Sequence, residues 1–554
     1  MLAAGCNSTT GEPAIEQLPL DDVQLPVIDD EPIAVGGEPL GIYDFPAVEF
    51  ELIYVSDFSE SRSGFSGRAS EKLTIDDGFL SVSGRTANWN GAKLDLSSLV
   101  EASTLYEFSA VISHNSETSQ DLAASLEIKT RSTAYENAAR ARVPAGEWVE
   151  IAGSFVTPQA FESFALYFEG GDDSNPDILL KEVVINRVIK ELLPPDALPS
   201  LWEAHDDYFK TGVGITLADL RNPDTSALII RHFNSITMGN EMKPSSLLDH
   251  AASIADLEKH NLSAAIRTDI LDECLTFARD NNIAMRGHTL VWHEQTPHWF
   301  FKVDYSRDAD AEYVSREVML ERLENYIRTV LEYCQENFPG VIYSWDVVNE
   351  AIDAGSADEN KVRDTHDGAP NPWYVTVGAD YIEQSFVFAR RYAAPEVTLF
   401  YNDFNTFYPN KLLPILALLE DLREKGLVDG MGLQSHIGFT DPSIMDFQAA
   451  ITKYAELGLE IHLTELDINL DSNSADDLLK LAIRYKRIVS MAYFLIDSDL
   501  ANVGNITVWG LSDRDTWLNN RDGGGKRYPL LFNEYLYPKL AFYGFLLDDS
   551  IPDF

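Results

Sequence analysis

A chain of 554 residues is too long for one hydrophobic core, so two or three domains are expected. Hydrophobic content of 45% and aromatic content of 11% say that most of it folds. The net charge of −47, from 89 acidic against 42 basic side chains, repels phosphate backbones and argues against nucleic acid as a partner. The same charge reads as a solubility trait of a protein kept in salt, where screening confines self-repulsion to about 10 Å. A neutral polysaccharide suits either reading.

Near the N-terminus, Leu2-Ala3-Ala4-Gly5-Cys6 looks like the lipobox at which bacterial lipoproteins are cut and acylated on cysteine. The apolar run before it is shorter than the roughly 7–15 residues of a signal core, and no basic stretch precedes it. Either a leader is cut short or the match is chance. On the first reading the protein is exported and tethered through Cys6 to the cell surface or outer membrane; on the second it is secreted. No segment reaches the ~18 apolar residues of a membrane span, so any membrane link is an anchor. Residues 7–47 are rich in Pro, Asp, Glu and Gly, and the first basic residue, Arg62, lies beyond them. Residues 1–47 are therefore expected to hold the motif and a disordered, self-repelling tether.

Residues 48–192 carry short alternating runs at 73–75, 79–82, 106–111, 126–129, 148–151, 164–168 and 178–185, punctuated by turn residues. That pattern predicts an all-β sandwich without helices. Residues 193–200, with Pro194, Pro195 and Pro199, form a stiff linker. Over 201–548 the pattern becomes strand, loop, helix, repeated. Strands are predicted at 212–216, 235–238, 284–291, 344–348, 397–401, 431–435, 460–463 and 505–509, with helices such as 315–338 and 475–494 between them. Eight strands with interposed helices predict an α/β fold, a (β/α)8 TIM barrel. Cys274 and Cys334 sit in helical stretches without metal or disulfide spacing and are read as packed apolar side chains.

In such a barrel the polar residues just past each strand end build the site. In order these are Asn240, Glu241 and Lys243; His288, Trp292, His293 and Gln295; Asn349 and Glu350; Asn402 and Asp403; Gln434 and His436; Glu465 and Asp467; Trp509 and, further on, Trp517. Any one of them is readily a packing residue. Together they offer the amides, carboxylates and flat aromatic faces that sugars need. Glu350 and Glu465, each closing an apolar run, are a carboxyl pair suited to splitting a glycosidic bond. Gly523-Gly524-Gly525 lacks the Lys-Ser/Thr of a phosphate loop and is read as a flexible turn. His288, His293 and His298 are close in sequence, but their spacing and Pro297 do not suit a metalloprotease helix, so no catalytic metal is expected.

The stretch from Leu201 to Leu547 resembles glycoside hydrolase family 10, the retaining endo-β-1,4-xylanases. The matching strings are Gly287-His288-Thr289-Leu290-Val291-Trp292-His293, Trp345 to Glu350, Tyr401-Asn402-Asp403, Gln434-Ser435-His436, Thr464-Glu465-Leu466-Asp467 and Trp509-Gly510-Leu511-Ser512-Asp513. The resemblance implies that Glu350 is the general acid/base and Glu465 the nucleophile. It further implies that His436, held by Asp467, supports Glu465, and that Asn349 binds the sugar 2-hydroxyl. Asn240, Lys243, His288, Trp292, Gln295, Asn402 and Gln434 would bind substrate, under a roof of Trp509 and Trp517. Such a roof leaves little room at C5 and favours pentose over glucose. Many members carry glutamate where this chain has Gly239, and tryptophan where it has Pro244, which puts the second glycone subsite in question.

The sandwich resembles carbohydrate-binding module family 22, through Gly64 to Arg68, Arg85 to Gly91, the Tyr135 region, Tyr167 to Gly170 and Asp177 to Ile185. The resemblance implies a xylan groove lined by Arg68, Trp89, Tyr135, Tyr167 and Glu169. A spacer whose Trp89 and Tyr167 are core aromatics is the plainer reading. The whole therefore reads as a monomeric xylanase acting on xylan and xylo-oligosaccharides without a cofactor, with a structural calcium in the sandwich suggested by analogy alone. The same mechanism on β-1,4- or mixed-linkage glucan, and a non-catalytic surface polysaccharide-binding protein, are the alternatives.

Overall fold

The computed structural model describes residues 47–552 apart from 131, 132, 173, 192, 195, 196, 522 and 523. The Cys6 motif and the tether up to residue 46 lie outside the described residues.

Two antiparallel sheets form the N-terminal sandwich. One runs in the order Lys72–Asp76, Phe79–Ser83, Ile178–Ile189, Leu105–His114 and Val149–Val156, with Glu49–Val55 also paired to Ile178–Ile189. The other runs Phe65–Gly67, Ala92–Asp95, Ser163–Gly170, Gln120–Lys129 and Thr133–Val143. All seven expected runs fall in these strands. Inward side chains such as Phe108, Phe155, Phe164, Leu166 and Ile185 are buried between the sheets. Each large apolar side chain so buried contributes about 1.5–3 kcal/mol over leaving it in water. Four strands escaped the sequence reading. Thr133–Val143 is the clearest, because its outer half is exposed and polar and shows no alternation of apolar residues.

The second unit is a closed barrel of eight parallel strands. In chain order they are Lys210–Ile215, Ser235–Met238, Ala284–Trp292, Ile342–Asn349, Thr398–Asp403, Gly430–Leu433, Glu460–Ile468 and Val503–Val508. Closure is direct: Val213 pairs with Ile236 on one side and with Val508 on the other. Strands covered on both faces read as near-continuous apolar runs, and Ser235–Met238 is buried at every position. The helix Arg316–Asn337 packs Met319, Leu323, Ile327, Val330 and Cys334 inward at three- and four-residue spacing. Cys274 and Cys334 are free and buried, in agreement with their reading as apolar side chains.

The sandwich is docked against the barrel. Tyr535 donates its hydroxyl to Glu107 at 2.8 Å, Lys190 Nζ donates to the Tyr535 carbonyl at 2.8 Å, and Gln159 Nε2 reaches the Arg221 carbonyl at 3.2 Å. The glycine turn takes part, so its reading as merely flexible needs correction. A Cβ on Gly524 would lie 2.2 Å from the Arg140 carbonyl oxygen, so only glycine allows the sandwich backbone this close. Arg221 and Gly524 lie beyond the first and eighth barrel strands, so the module sits beside the mouth where strand ends converge.

Candidate active site

The seventh barrel strand ends in Thr464-Glu465-Leu466-Asp467, and Glu465 is 6% exposed at the mouth. His436 Nε2 lies 3.3 Å from Glu465 Oε2, while its Nδ1 lies 3.0 Å from Asp467 Oδ1. Burial works against a charged imidazole here. The two carboxylates, Asp467 first, outweigh it and push His436 up to about 10. The ring is therefore a cation at neutral pH. Burial would likewise raise Glu465, but the hydrogen-bonding His436, with His288 and Lys243 nearby, holds it below the usual carboxylate range. Glu465 is built to stay ionised.

Glu350 follows the fourth strand on a left-handed turn with φ of 55°, an uncommon conformation for a non-glycine residue. Two backbone hydrogen bonds hold the turn: the Glu350 amide donates to the Asn402 carbonyl at 2.9 Å, and Arg363 Nε donates to the Glu350 carbonyl at 3.0 Å. Its side chain receives Trp292 Nε1 at 3.1 Å, Gln434 Nε2 at 2.9 Å and Asn349 Nδ2 at 3.2 Å. A buried amide chain then links the two glutamates. Asn402 Nδ2 donates to Asn349 Oδ1 at 2.9 Å and to Glu465 Oε1 at 2.8 Å, and Thr464 Oγ1 donates to Asn402 Oδ1 at 2.6 Å.

These contacts change one sequence-based assignment and add a role to others. Asn402 is 0% exposed, so it cannot meet a sugar; it positions Glu465 and Asn349 instead. Gln434, Trp292 and Asn349 each donate a hydrogen bond to Glu350 and so position it, whatever else they contact. Several other candidates meet one another at the strand ends, whereas Asp403 is fully buried against Lys411. Lys243 Nζ sits 4.8 Å from the Trp292 ring, Gln295 reaches Asn240 at 3.4 Å, and His288 lies edge-on to Trp509 with ring centroids 5.7 Å apart. Trp517 donates its indole N–H to Asp467 at 2.7 Å and lies 5.0 Å from the His436 ring. One tryptophan therefore belongs both to the roof and to the support of the His436 cation.

Sequence reasoning missed the layer beneath. Arg286 is fully buried, forks onto both oxygens of Asp346 and reaches Nδ1 of His462. Asp346 in turn orients His288 through Nδ1 at 2.9 Å. Burial opposes the Asp346 charge, but Arg286 and His288 hold it below the usual range. A charged residue in the middle of a run otherwise fit for a buried parallel strand was the available signal for Arg286.

The three histidines that are close in sequence do not gather: His288 pairs with Asp346, and His298 is exposed. His293 instead meets Glu294 and His366, the last on a short hairpin after the fourth strand. Burial, with Glu350 nearby, pushes Glu294 up to about 7.

On the sandwich, Arg68 gathers the expected groove residues. Its guanidinium lies 3.6 Å from the Tyr167 ring centroid, 5.3 Å from Tyr135 and 5.8 Å from Trp89, and pairs with Glu169 at 3.0 Å. Trp89 and Tyr135 are 51% and 59% exposed, whereas Tyr167 is 2% exposed. Tyr167 thus underlies the groove as a seat for Arg68 and does not line it. Among the described residues the sandwich brings no three His, Cys or carboxylate ligands within 4.8 Å of one another, so a calcium there would draw on backbone carbonyl oxygens as well.

Comparison with known proteins agrees with this division. Residues 200–547 match the model of glycosyl hydrolase family 10, and residues 51–175 match a carbohydrate binding domain. Endo-1,4-beta-xylanase A of Thermotoga maritima is 37% identical over 85% of this chain and 43% of its own length. Endo-1,4-beta-xylanase B of Butyrivibrio fibrisolvens is 42% identical over 64% of this chain and 54% of its own. The chain spans about half the length of such curated relatives. Among solved structures, the CBM22-1 and GH10 modules of Clostridium thermocellum endo-1,4-beta-D-xylanase 10B, complexed with xylohexaose, superpose with a TM-score of 0.59. They share 30% identity, covering 91% of this chain and 98% of that one.

Proposed function

Since the chain belongs to glycosyl hydrolase family 10, we propose that it hydrolyses internal β-1,4 bonds of xylan with retention of configuration. The observation that carries this reading is the unequal setting of the two glutamates. Glu465 is buried against a cationic His436, whereas Glu350 stands half-buried on a strained turn with neutral amide and indole donors around it.

Glu465 attacks the anomeric carbon while Glu350 gives its proton to the departing glycosidic oxygen, so one C–O bond forms as the other breaks. Once Glu465 is bonded to sugar its charge is gone, and Glu350 takes a proton from water as that water attacks the same carbon and frees Glu465. In this reading Asn349 holds the 2-hydroxyl, and Lys243, His288, Asn240 and Gln295 hold the glycone side under Trp509 and Trp517. The sandwich supplies a second xylan contact through Arg68, Trp89, Tyr135 and Glu169. The same reading makes the protein an exported monomer, anchored by lipid at Cys6 or else secreted.

The test is release of reducing sugar from glucuronoxylan, arabinoxylan and carboxymethyl cellulose side by side, with NMR of the first-formed anomer. Hydrolysis of both xylans with initial β-anomer is expected. Preference for the cellulose derivative would move the substrate to glucan, and initial α-anomer would overturn retention. Undiminished hydrolysis by Glu465→Ala would remove Glu465 as nucleophile.

A further inference from the structure

We propose that His293, Glu294 and His366 form a binding site for one divalent transition-metal ion of the zinc class, beside the catalytic cleft. The three donor atoms all lie within 4.8 Å of one another. Glu294 Oε1 is 3.2 Å from Nε2 of His366 and 3.9 Å from Nε2 of His293. Donors at tetrahedral angles around zinc, with bonds of about 2.0–2.2 Å, stand roughly 3.3–3.6 Å apart. The two pairs that include Glu294 are thus within a few tenths of an ångström of that spacing, and the two imidazole donors lie within 4.8 Å of each other.

The two imidazoles meet edge to face, which leaves their ring nitrogens free of each other. Their centroids are 4.6 Å apart and their planes cross at 67°, so they do not stack. The His293 side chain is 1% exposed, its Nδ1 is buried without a hydrogen-bond partner, and 3.9 Å is too long for a hydrogen bond from Nε2 to Glu294. Nδ1 is the buried nitrogen without a partner, while Nε2, which faces Glu294, makes no hydrogen bond within the protein and is open to a metal ion. Arg363 and Lys411, the cations that act on His293, make their ion pairs with Asp353 and Asp403 and none with Glu294. On the open side, Asp367 Oδ2 stands 3.5 Å from His366 Nε2 at the surface, leaving a fourth position for water or for this carboxylate. Two imidazoles and one carboxylate suit zinc, nickel or copper and are poor ligands for calcium or magnesium. The site joins the loop after the third strand to the hairpin at Thr365–His366 and Ala369–Pro370, two segments far apart in sequence.

The test is isothermal titration of the metal-free full-length chain with Zn²⁺, beside His366→Ala and Glu294→Gln, with Ca²⁺ as competitor. The wild type is expected to take up one zinc equivalent that calcium does not displace. Each variant should bind that equivalent at least tenfold more weakly, and His366→Ala should keep metal-free hydrolysis. Co²⁺ in the wild type should show the d–d absorption of a four- or five-coordinate site, absent from His366→Ala. Equal zinc uptake by wild type and both variants, or displacement by calcium, would overturn the proposal.

Discussion

Asn402 donates one N–H to Glu465 at 2.8 Å from a position with no exposed surface. Through Asn349 the same side chain reaches the environment of Glu350, so a single buried amide ties both carboxyl groups to one frame. Positioning of this kind acts on the chemical step and not on sugar binding. Asn402→Ala should lower kcat on xylan by about 10²-fold, the scale for losing one preorganised donor, with KM within about twofold of the wild type. Steady-state kinetics on one soluble xylo-oligosaccharide checks this, and a rise in KM with kcat intact would restore Asn402 to the substrate-binding residues.

His436 should govern the acid side of the activity profile. Removing its positive charge in His436→Gln takes away what holds Glu465 below the usual carboxylate range. The acid limb of kcat/KM should therefore move to higher pH. The stability effect has the opposite pH sense. His436 is raised from 6.5 to about 10, so its contribution is complete below 6.5 and is lost as pH climbs through about 10. Wild-type melting temperature should fall across that window more steeply than that of His436→Gln.

Acid stability should trace to two histidines that play no part in catalysis. Burial lowers His205 to about 4 and His232 to about 3, from 6.5. The unfolded chain takes up protons there before the folded one does. Their contribution is present above 6.5 and is lost as pH falls through those folded values, by at most about 1.4 kcal/mol per pH unit for each. His232, with neither ring nitrogen partnered, lies between the rings of Phe532 and Phe542. His232→Leu should flatten the decline in urea-unfolding free energy between pH 6.5 and 4.

Gly239 is not required by the backbone. A Cβ there would meet only the Ile215 carbonyl, at an ordinary 3.4 Å. Gly239→Glu should fold normally and add one charged hydrogen bond at the second glycone subsite. We expect kcat/KM on xylotetraose or longer to rise about tenfold, equivalent to ~1.4 kcal/mol, with little change on shorter substrates. Product profiles by chromatography would show it.

The sandwich groove should depend on its two exposed rings. Tyr135→Ala in the full chain should weaken retardation in xylan-containing native gels by about tenfold in apparent affinity. Tyr167→Phe, beneath Arg68, should have little effect, since it keeps the seat on which the guanidinium rests. Equal retardation of wild type and Tyr135→Ala would leave the sandwich as a spacer.

Much of this was legible in the chain itself. Buried parallel strands demand continuous apolar runs, so all eight barrel strands could be placed from their composition, and Glu350 and Glu465 stood out as carboxylates closing such runs. The polar half of Thr133–Val143 carries no such pattern, because it faces solvent, and it went unseen. The types of residue at the mouth, and the fact that they meet, follow from local pattern and chain order. Which of them face sugar does not. Asn402 looks like a sugar ligand in a string of letters, and only packing turns it inward onto Glu465, just as only packing sets Gln434 and Trp292 against Glu350. Likewise, only the fold brings His366 to His293, seats Arg68 on Tyr167 and places Gly524 against the sandwich. Periodicity is a property of neighbours along the chain, whereas hydrogen-bond direction and close approach are properties of neighbours in space, and those exist only once the barrel has closed.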